Sequence, residues 1–386
     1  MENESKKLVV YTLLLFLLNK ILILLPAIYV HKDSMVNYTF LLKIKHIVFL
    51  NFSRWDSGWY LTIIKEGYSM KASAFFPFYP MLVKALSFNR IDPLITGIVV
   101  SNVCFLLLIY FFMKLVRLDY SLKETFKITL LLAFFPTSYY FSSLYTESLF
   151  MLFSILFLYY LRTQNWSVAS IFGMFAGGTR NTGVLLAIPF AIEFLDNHFN
   201  TYNKFVWNKR LFSILWGIII PLLAFVYMGY LWGEFGDPFA FSSVQELFGR
   251  GFMAPWNTVI QGYSFNLLSL KKILLGGRVY FDIYNVIELI FISLILLTLV
   301  LSFKKIRLSY WIIILYSLLI PLTAPAYENV KDYFVSLSRY SLVIVPFYIA
   351  LYEVFKKKIF YILLVSSFGL MLMLLVYFWS KHLWVA

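Results

Sequence analysis

The sequence predicts an all-α, polytopic membrane protein, and three observations carry that prediction. Hydrophobic residues fill 61% of the 386 positions and charged residues only 13%, too little polar surface to coat a water-soluble globule. Apolar runs long enough to cross a hydrocarbon core of about 30 Å recur from end to end. None shows the short alternating segments of a barrel, so helices are the elements that can satisfy the backbone in lipid. A mean hydropathy of +0.79 agrees. The single Cys104 lies in an apolar run, which rules out an intramolecular disulfide.

The first span is read at 8–30. Residues 1–7 before it are charged, but more than twenty apolar residues without a small-residue cleavage site mark a span, not a removed signal peptide. Further spans fall at 94–116, 128–144, 147–162, 166–179, 182–195, 210–232, 283–303, 310–325, 340–355 and 359–380, about eleven in all. Several are so short that they must thin the bilayer or sit as broken helices inside the bundle. The whole chain, 1–386, reads as one membrane domain.

Lysine and arginine set the orientation. Connections holding Lys6 and Lys7; Lys114, Arg117, Lys123 and Lys127; Arg162; Lys204, Lys209 and Arg210; Lys304, Lys305 and Arg307; and Lys356, Lys357 and Lys358 all fall on one side. By the positive-inside rule that side is cytoplasmic, which puts the N-terminus inside and the C-terminus outside. The phase requires 166–195 to be a helical pair broken at Gly177-Gly178-Thr179-Arg180-Asn181-Thr182-Gly183. The net charge of +14 then follows from topology and anionic lipid contact, with no nucleic-acid partner.

Three segments remain outside: 31–93, 233–282 and 326–339. The first carries Arg54-Trp55-Asp56-Ser57-Gly58-Trp59-Tyr60 and Phe75-Phe76-Pro77-Phe78-Tyr79-Pro80. A carboxylate beside lipid costs free energy unless it is paired, hydrated or used, so Asp56 is a functional candidate. Nucleotide sugars and ATP are not generally available on that face, so an enzyme there needs a lipid-linked donor or a hydrolytic reaction. The absence of a P-loop, of G-x-G-x-x-G after a strand and of H-E-x-x-H agrees.

Further elements follow in order: Gly67-Tyr68, Tyr145-Thr146-Glu147-Ser148-Leu149-Phe150, Gly178-Thr179-Arg180-Asn181-Thr182-Gly183, Gly236-Asp237-Pro238-Phe239-Ala240-Phe241 and Ser338-Arg339-Tyr340. From about Arg54 to Pro346 this ordered set resembles the PIG-V family, the GPI mannosyltransferase II type within the GT-C class of polytopic glycosyltransferases. The resemblance implies a transferase that takes mannose from a polyprenyl- or dolichyl-phosphate carrier and inverts its anomeric centre. The site it implies faces the extracytoplasmic or lumenal space, in a prokaryotic plasma membrane or the ER; the acceptor is read as a hydroxyl of a glycolipid or glycan. It leaves the acceptor's identity open.

Glycosyl transfer from a lipid phosphate requires a base for the acceptor hydroxyl and cations for the leaving phosphate. Asp56 is the candidate base: in a helix over 53–67 its neighbours one turn on are Trp59 and Tyr60, with no local cation to hold the carboxylate. The competing reading makes Ser53-x-x-Asp56 a capping box. The resemblance favours catalysis, since the GT-C class places its catalytic Asp in this first outer loop. Glu147 is a second carboxylate, either part of the site or paired with an arginine in the bundle.

Arg339 and Arg180 are the phosphate candidates, because a guanidinium fork matches phosphate oxygens; snorkelling at a span end is the alternative. Arg54, Trp55, Trp59, Tyr60, Phe76, Pro77, Tyr79 and Pro80 form the candidate substrate loop, or else an aromatic belt at headgroup level. Gly173-x-x-x-Gly177 reads as helix packing. His31, His46, His198 and His382 lack metal-ligand spacing, so no metal centre is assigned. No cofactor is required: a phosphate held by arginines needs none, and a divalent ion between Asp56 and Glu147 is the alternative. Two other functions compete, a GT-C transferase for another sugar or a protein acceptor and a lipid or solute transporter. An inverted internal repeat would favour transport, and none is seen.

Overall fold

A computed structural model of the chain describes residues 2–202, 209–276, 280–326 and 333–385; Lys204 of the basic clusters lies outside them. Among the described residues the chain is helical, and its only β pairing is one isolated bridge between Arg250 and Ala326. The first half runs α1 (Glu2–His31), α2 (Phe40–Ile44), α3 (Ser57–Glu66), α4 (Phe78–Ser87), α5 (Pro93–Val116), α6 (Leu122–Ala133), α7 (Glu147–Arg162), α8 (Trp166–Thr179) and α9 (Ala187–Tyr202). The second continues with α10 (Leu222–Phe235), α11 (Ala240–Ser243), α12 (Pro255–Leu274), α13 (Tyr280–Ser302), α14 (Leu308–Thr323), α15 (Leu337–Leu342), α16 (Phe347–Phe355) and α17 (Lys358–Ser380).

Five stretches are long and apolar enough to cross a membrane: Glu4–His31, Pro93–Val116, Phe212–Phe235, Phe281–Ser302 and Lys358–Ser380. They coincide with the spans read at 8–30, 94–116, 210–232, 283–303 and 359–380, and the chain is a multipass helical membrane protein. The span read at 128–144 is instead broken: α6 ends at Ala133, and a 3-10 turn over Ser138–Ser142 follows. The span at 340–355 is likewise divided into α15 and α16. Pro136 and Pro346 stand in the two breaks. Each lacks a backbone donor and pushes the residue before it out of the helical region.

Irregular backbone at membrane depth persists only where protein satisfies it. Polar side chains of α1 do this at the first break. Asn19 Nδ2 donates to Ala133 O at 2.8 Å and to Ser138 Oγ at 2.9 Å, while the Lys20 ammonium donates to Asn102 and Ser142. Thr137 Oγ1 then donates to Ser338 O at 3.1 Å, so the first break touches α15, the helix that precedes the second.

The ends of the bundle differ chemically. At one, Arg117 pairs with Glu4 at 2.6 Å, Arg162 with Asp119 at 2.7 Å and Arg307 with Glu193 at 3.6 Å. At the other, His31 meets Asn51 at 3.2 Å and Arg54 reaches Trp379 O at 2.8 Å, tying the far ends of α1 and α17 to the 31–93 segment. Arg117, Arg162 and Arg307 of the basic clusters thus share one end. The segments read as outer at 31–93 and 233–282 contain helices of their own, and α12 is inverted: Thr258, Gly262, Asn266 and Ser269 are buried while Trp256, Ile260, Leu267 and Leu268 face out. That polarity suits a helix whose outer face meets lipid.

Helix α8 packs through its small residues. A methyl group at Gly173 would lie 3.1 Å from Ile220, and one at Gly177 would lie 3.1 Å from Ile220 O. Gly183, just past the end of α8, is tighter. A Cβ there would sit 2.3 Å from the Ala176 carbonyl carbon and 2.5 Å from Gly177 N, both backbone atoms that cannot rotate away. Gly183→Ala is therefore expected to destabilise the protein by about 2 kcal/mol or more, at the upper end of overpacking costs. Gly233→Ala, where nothing lies within 4 Å, is expected to be tolerated. Thermal unfolding of both variants in detergent checks the contrast, and equal melting temperatures would contradict it.

Candidate active site

The chain enters α3 through a strained turn. Trp55 adopts a φ of +53°, a left-handed conformation that bulky residues occupy at a cost and that persists where surrounding contacts enforce it. The enforcing contacts are visible. Tyr145 Oη accepts from Asp56 N at 3.2 Å and donates to Arg54 O at 2.9 Å, and Ser57 Oγ donates to Leu144 O at 3.1 Å. Helix α3 begins at Ser57, not at Ser53, and the Asp56 side chain makes no capping hydrogen bond. The capping-box reading is corrected: the carboxylate is drawn to another partner.

That partner is Arg339, on α15. Its Nη1 donates to Asp56 Oδ2 at 2.7 Å and its Nε to Glu147 Oε1 at 2.6 Å, so one guanidinium bridges two carboxylates. Its faces lie against the rings of Tyr145 and Tyr140, 4.6 and 4.9 Å from their centroids, a cation–π contact that strengthens on desolvation. Arg180 adds a second positive charge, with Nη1 3.3 Å from Glu147 Oε1 but without hydrogen-bond geometry. The Glu147 side chain is 0% exposed, whereas that of Asp56 is 25% exposed. Glu147 is therefore the buried counter-charge of two arginines and Asp56 the carboxylate that meets solvent.

Arg339 is itself positioned from behind. Glu288, in the middle of α13, accepts from Ser338 N at 2.9 Å and from Ser338 Oγ at 2.5 Å, and Ser336 N donates to Tyr284 Oη at 3.1 Å. These bonds fix the start of α15 after the left-handed Ser336, with φ of +61°. Glu288 was missed in the sequence, although a lone carboxylate in an apolar span is a signal in its own right.

A cavity of about 520 Å³ opens over this cluster, within the ~300–1,000 Å³ usual for small-molecule sites. Its wall includes Asp56, Tyr60, Phe76, Arg180 and Arg339 from the sequence-based candidates. It also includes Arg250 and Trp384, which the sequence did not single out. Other candidates stand outside the wall. Arg54 donates to Trp379 O at 2.8 Å, Ser380 O at 3.4 Å and Asn51 Oδ1 at 2.9 Å, closing the end of α17, where a cation also suits the helix dipole. Trp55 packs edge-on against Trp384 at 5.0 Å, and Trp59 stacks on Phe75 at 5.8 Å. Tyr79 is buried and bonded to Gly97 O at 3.1 Å and Ser101 Oγ at 3.0 Å. Pro77 and Pro80 shape the start of α4.

Among the described residues no three His, Cys, Asp or Glu side chains converge to hold a metal ion. Between Asp56 and Glu147 the space is taken by Arg339. The cavity wall thus carries one solvent-reachable carboxylate, Asp56, and three guanidinium groups, those of Arg180, Arg250 and Arg339.

With that geometry in hand, comparison with known proteins is informative. The chain matches the family described as Mannosyltransferase (PIG-V) over residues 5–235, more than half of its length. GPI mannosyltransferase 2 of Schizosaccharomyces pombe is 25% identical over 252 residues, covering 59% of this chain and 53% of that protein. The chain spans about half the length of that curated relative. The matched stretch holds Asp56, Glu147 and Arg180, while Arg250, Glu288 and Arg339 come from beyond it. By that match, this chain belongs to the PIG-V mannosyltransferase family.

Proposed function

We propose that this protein transfers mannose from a polyprenyl- or dolichyl-phosphate carrier to a hydroxyl of a glycolipid or glycan acceptor. The observation that carries the reading is Asp56, a carboxylate on a cavity wall, paired with a guanidinium and reachable by solvent. Family membership supports the sugar, and the name of the yeast relative supports a lipid-anchored acceptor. The cavity lies at the end of the bundle away from the basic clusters, which supports the extracytoplasmic or lumenal face by the positive-inside rule.

In the proposed reaction the acceptor oxygen attacks the anomeric carbon as the bond from that carbon to the phosphate oxygen breaks. Asp56 takes the acceptor's proton. The carrier departs with the bonding electrons as a lipid phosphate, whose charge is met by arginine. One displacement inverts the anomeric configuration. Glu147 is too deeply buried to serve as the base. Arg339 already holds two carboxylates, so its role is to keep Asp56 aimed, and it contributes one face of a phosphate site at most.

The direct test is transfer of radiolabelled mannose from polyprenyl-phosphate-mannose to candidate lipid acceptors by purified protein, beside carriers bearing other sugars. Transfer from another carrier but not from the mannosyl one would replace the donor in this reading. Asp56→Asn is expected to fold and bind donor while losing about 100- to 10,000-fold in turnover, the usual contribution of a general base. Turnover within a few-fold of wild type would make Asp56 structural.

Arg339→Lys separates charge from geometry. A lysine is a point charge and cannot present the planar fork that spans two carboxylates. The variant is expected to lower kcat about 10-fold or more, with little change in donor KM, because the Asp56 carboxylate loses the partner that aims it. A change in donor KM alone would assign Arg339 to the phosphate instead.

A further inference from the structure

Three guanidinium groups line the cavity, and two carboxylates among the described residues pair with them. Arg339 and Arg180 are both committed to Glu147. Arg250 differs. Its Nη1 donates to Ala324 O at 3.0 Å and its guanidinium lies 5.7 Å from the Tyr340 ring centroid, and no carboxylate among the described residues pairs with it. It is half-buried on the cavity wall. The loop carrying it is pinned across the cavity by the Arg250–Ala326 bridge, by Gly251 N to Pro325 O at 3.3 Å and by Met253 N to Thr323 O at 3.0 Å. A guanidinium held at a cavity wall, with no carboxylate among the described residues paired to it, has the chemistry to bind an anion.

A second, apolar groove of about 280 Å³ continues from the same cavity. The two share Phe76, Asn181, Thr182, Phe241 and Ile320. From there the groove passes Val184 and Ala224 to Phe225, which is 60% exposed on the outer face of α10, where a membrane helix meets lipid. An anion site that opens through an apolar groove to the bilayer fits one kind of molecule, an amphiphile with a phosphate head and a hydrocarbon tail.

We propose that Arg250 receives the phosphate of the lipid-linked donor and that the donor's polyisoprenoid tail leaves the site along the groove between residues 181–186 and α10. This deepens the function proposed above and rests on its donor. It leaves the Asp56 side of the cavity for the acceptor hydroxyl, so the sugar bridges the phosphate at Arg250 and the carboxylate at Asp56. Phe76 and Phe241, common to both spaces, mark where head gives way to tail.

The test is binding of sugar-free polyprenyl phosphate, long-chain and short-chain, to the full-length protein in detergent, with inorganic phosphate as competitor. Arg250→Ala is expected to weaken both lipids about 10- to 100-fold, the cost of a lost charged hydrogen bond, and Arg250→Lys to weaken them less. Ala224→Phe, which fills the groove, is expected to weaken the long-chain lipid while sparing the short one. Val184→Phe, from the opposite wall, serves the same purpose if Ala224→Phe does not fold. Inorganic phosphate, a head without a tail, is expected to compete only weakly. Binding by folded Arg250 variants within two-fold of wild type overturns the phosphate assignment. Equal loss of both lipids in the groove variant, or strong competition by inorganic phosphate, overturns the tail assignment. Binding that depends on Arg250 in a wild-type protein that transfers no mannose would overturn the function proposed above while leaving this site intact.

Discussion

Everything at this site depends on one guanidinium between two carboxylates. A carboxylate as deeply buried as Glu147 is tolerable inside a membrane protein only with a paired charge, and Arg339 supplies it at 2.6 Å while holding Asp56 at 2.7 Å. The arrangement divides the labour. Glu147 neutralises the arginines from beneath, Arg339 fixes the direction of Asp56, and of the two carboxylates Asp56 is the one that meets the cavity. Tyr140 and Tyr145 enclose the guanidinium, and Tyr145 also holds the backbone at Arg54 and Asp56.

The fold exists in the form that allows this contact. Arg339 reaches the cluster because α15 stops after six residues and Pro346 starts a new helix beyond it. Glu147 reaches it because the 128–144 stretch is broken at Pro136 and returns the chain to the start of α7. The breaks are held by Asn19 and Lys20 from α1 and by the Thr137 to Ser338 bond, so polar residues that look costly within apolar spans are the ones that stabilise irregular backbone there. Gly183 does the same for Arg180 by letting the chain turn against the end of α8.

Much of this was legible in the sequence, for reasons that can be named. The five long spans follow from apolar run length, and Arg117, Arg162 and Arg307 meet at one end as the charge pattern expects. Asp56, Glu147, Arg180 and Arg339 stood out because charge beside lipid is expensive. Their convergence was not legible. Arg339 lies 283 residues from Asp56 and 192 from Glu147, and no local periodicity encodes such a pairing. For the same reason the absence of a cation one turn from Asp56 misled: the cation comes from another helix. Arg54 was read with the substrate loop because of its neighbours, whereas its partners lie at the end of α17. Arg250 sits in a loop without distinguishing spacing, and only the cavity reveals it.

The central claim is that Arg339 and Glu147 form one energetically coupled unit, and unfolding free energies in mixed micelles for Arg339→Met, Glu147→Gln and the double variant measure it most directly. Losing Arg339 leaves the buried Glu147 carboxylate with Arg180 at 3.3 Å and without the hydrogen bond Arg339 donates, and is expected to cost about 3–5 kcal/mol. Adding Glu147→Gln removes that charge, so the double variant is predicted to be more stable than Arg339→Met by about 1 kcal/mol or more. Losses that simply add, to within about 0.5 kcal/mol, would contradict the account.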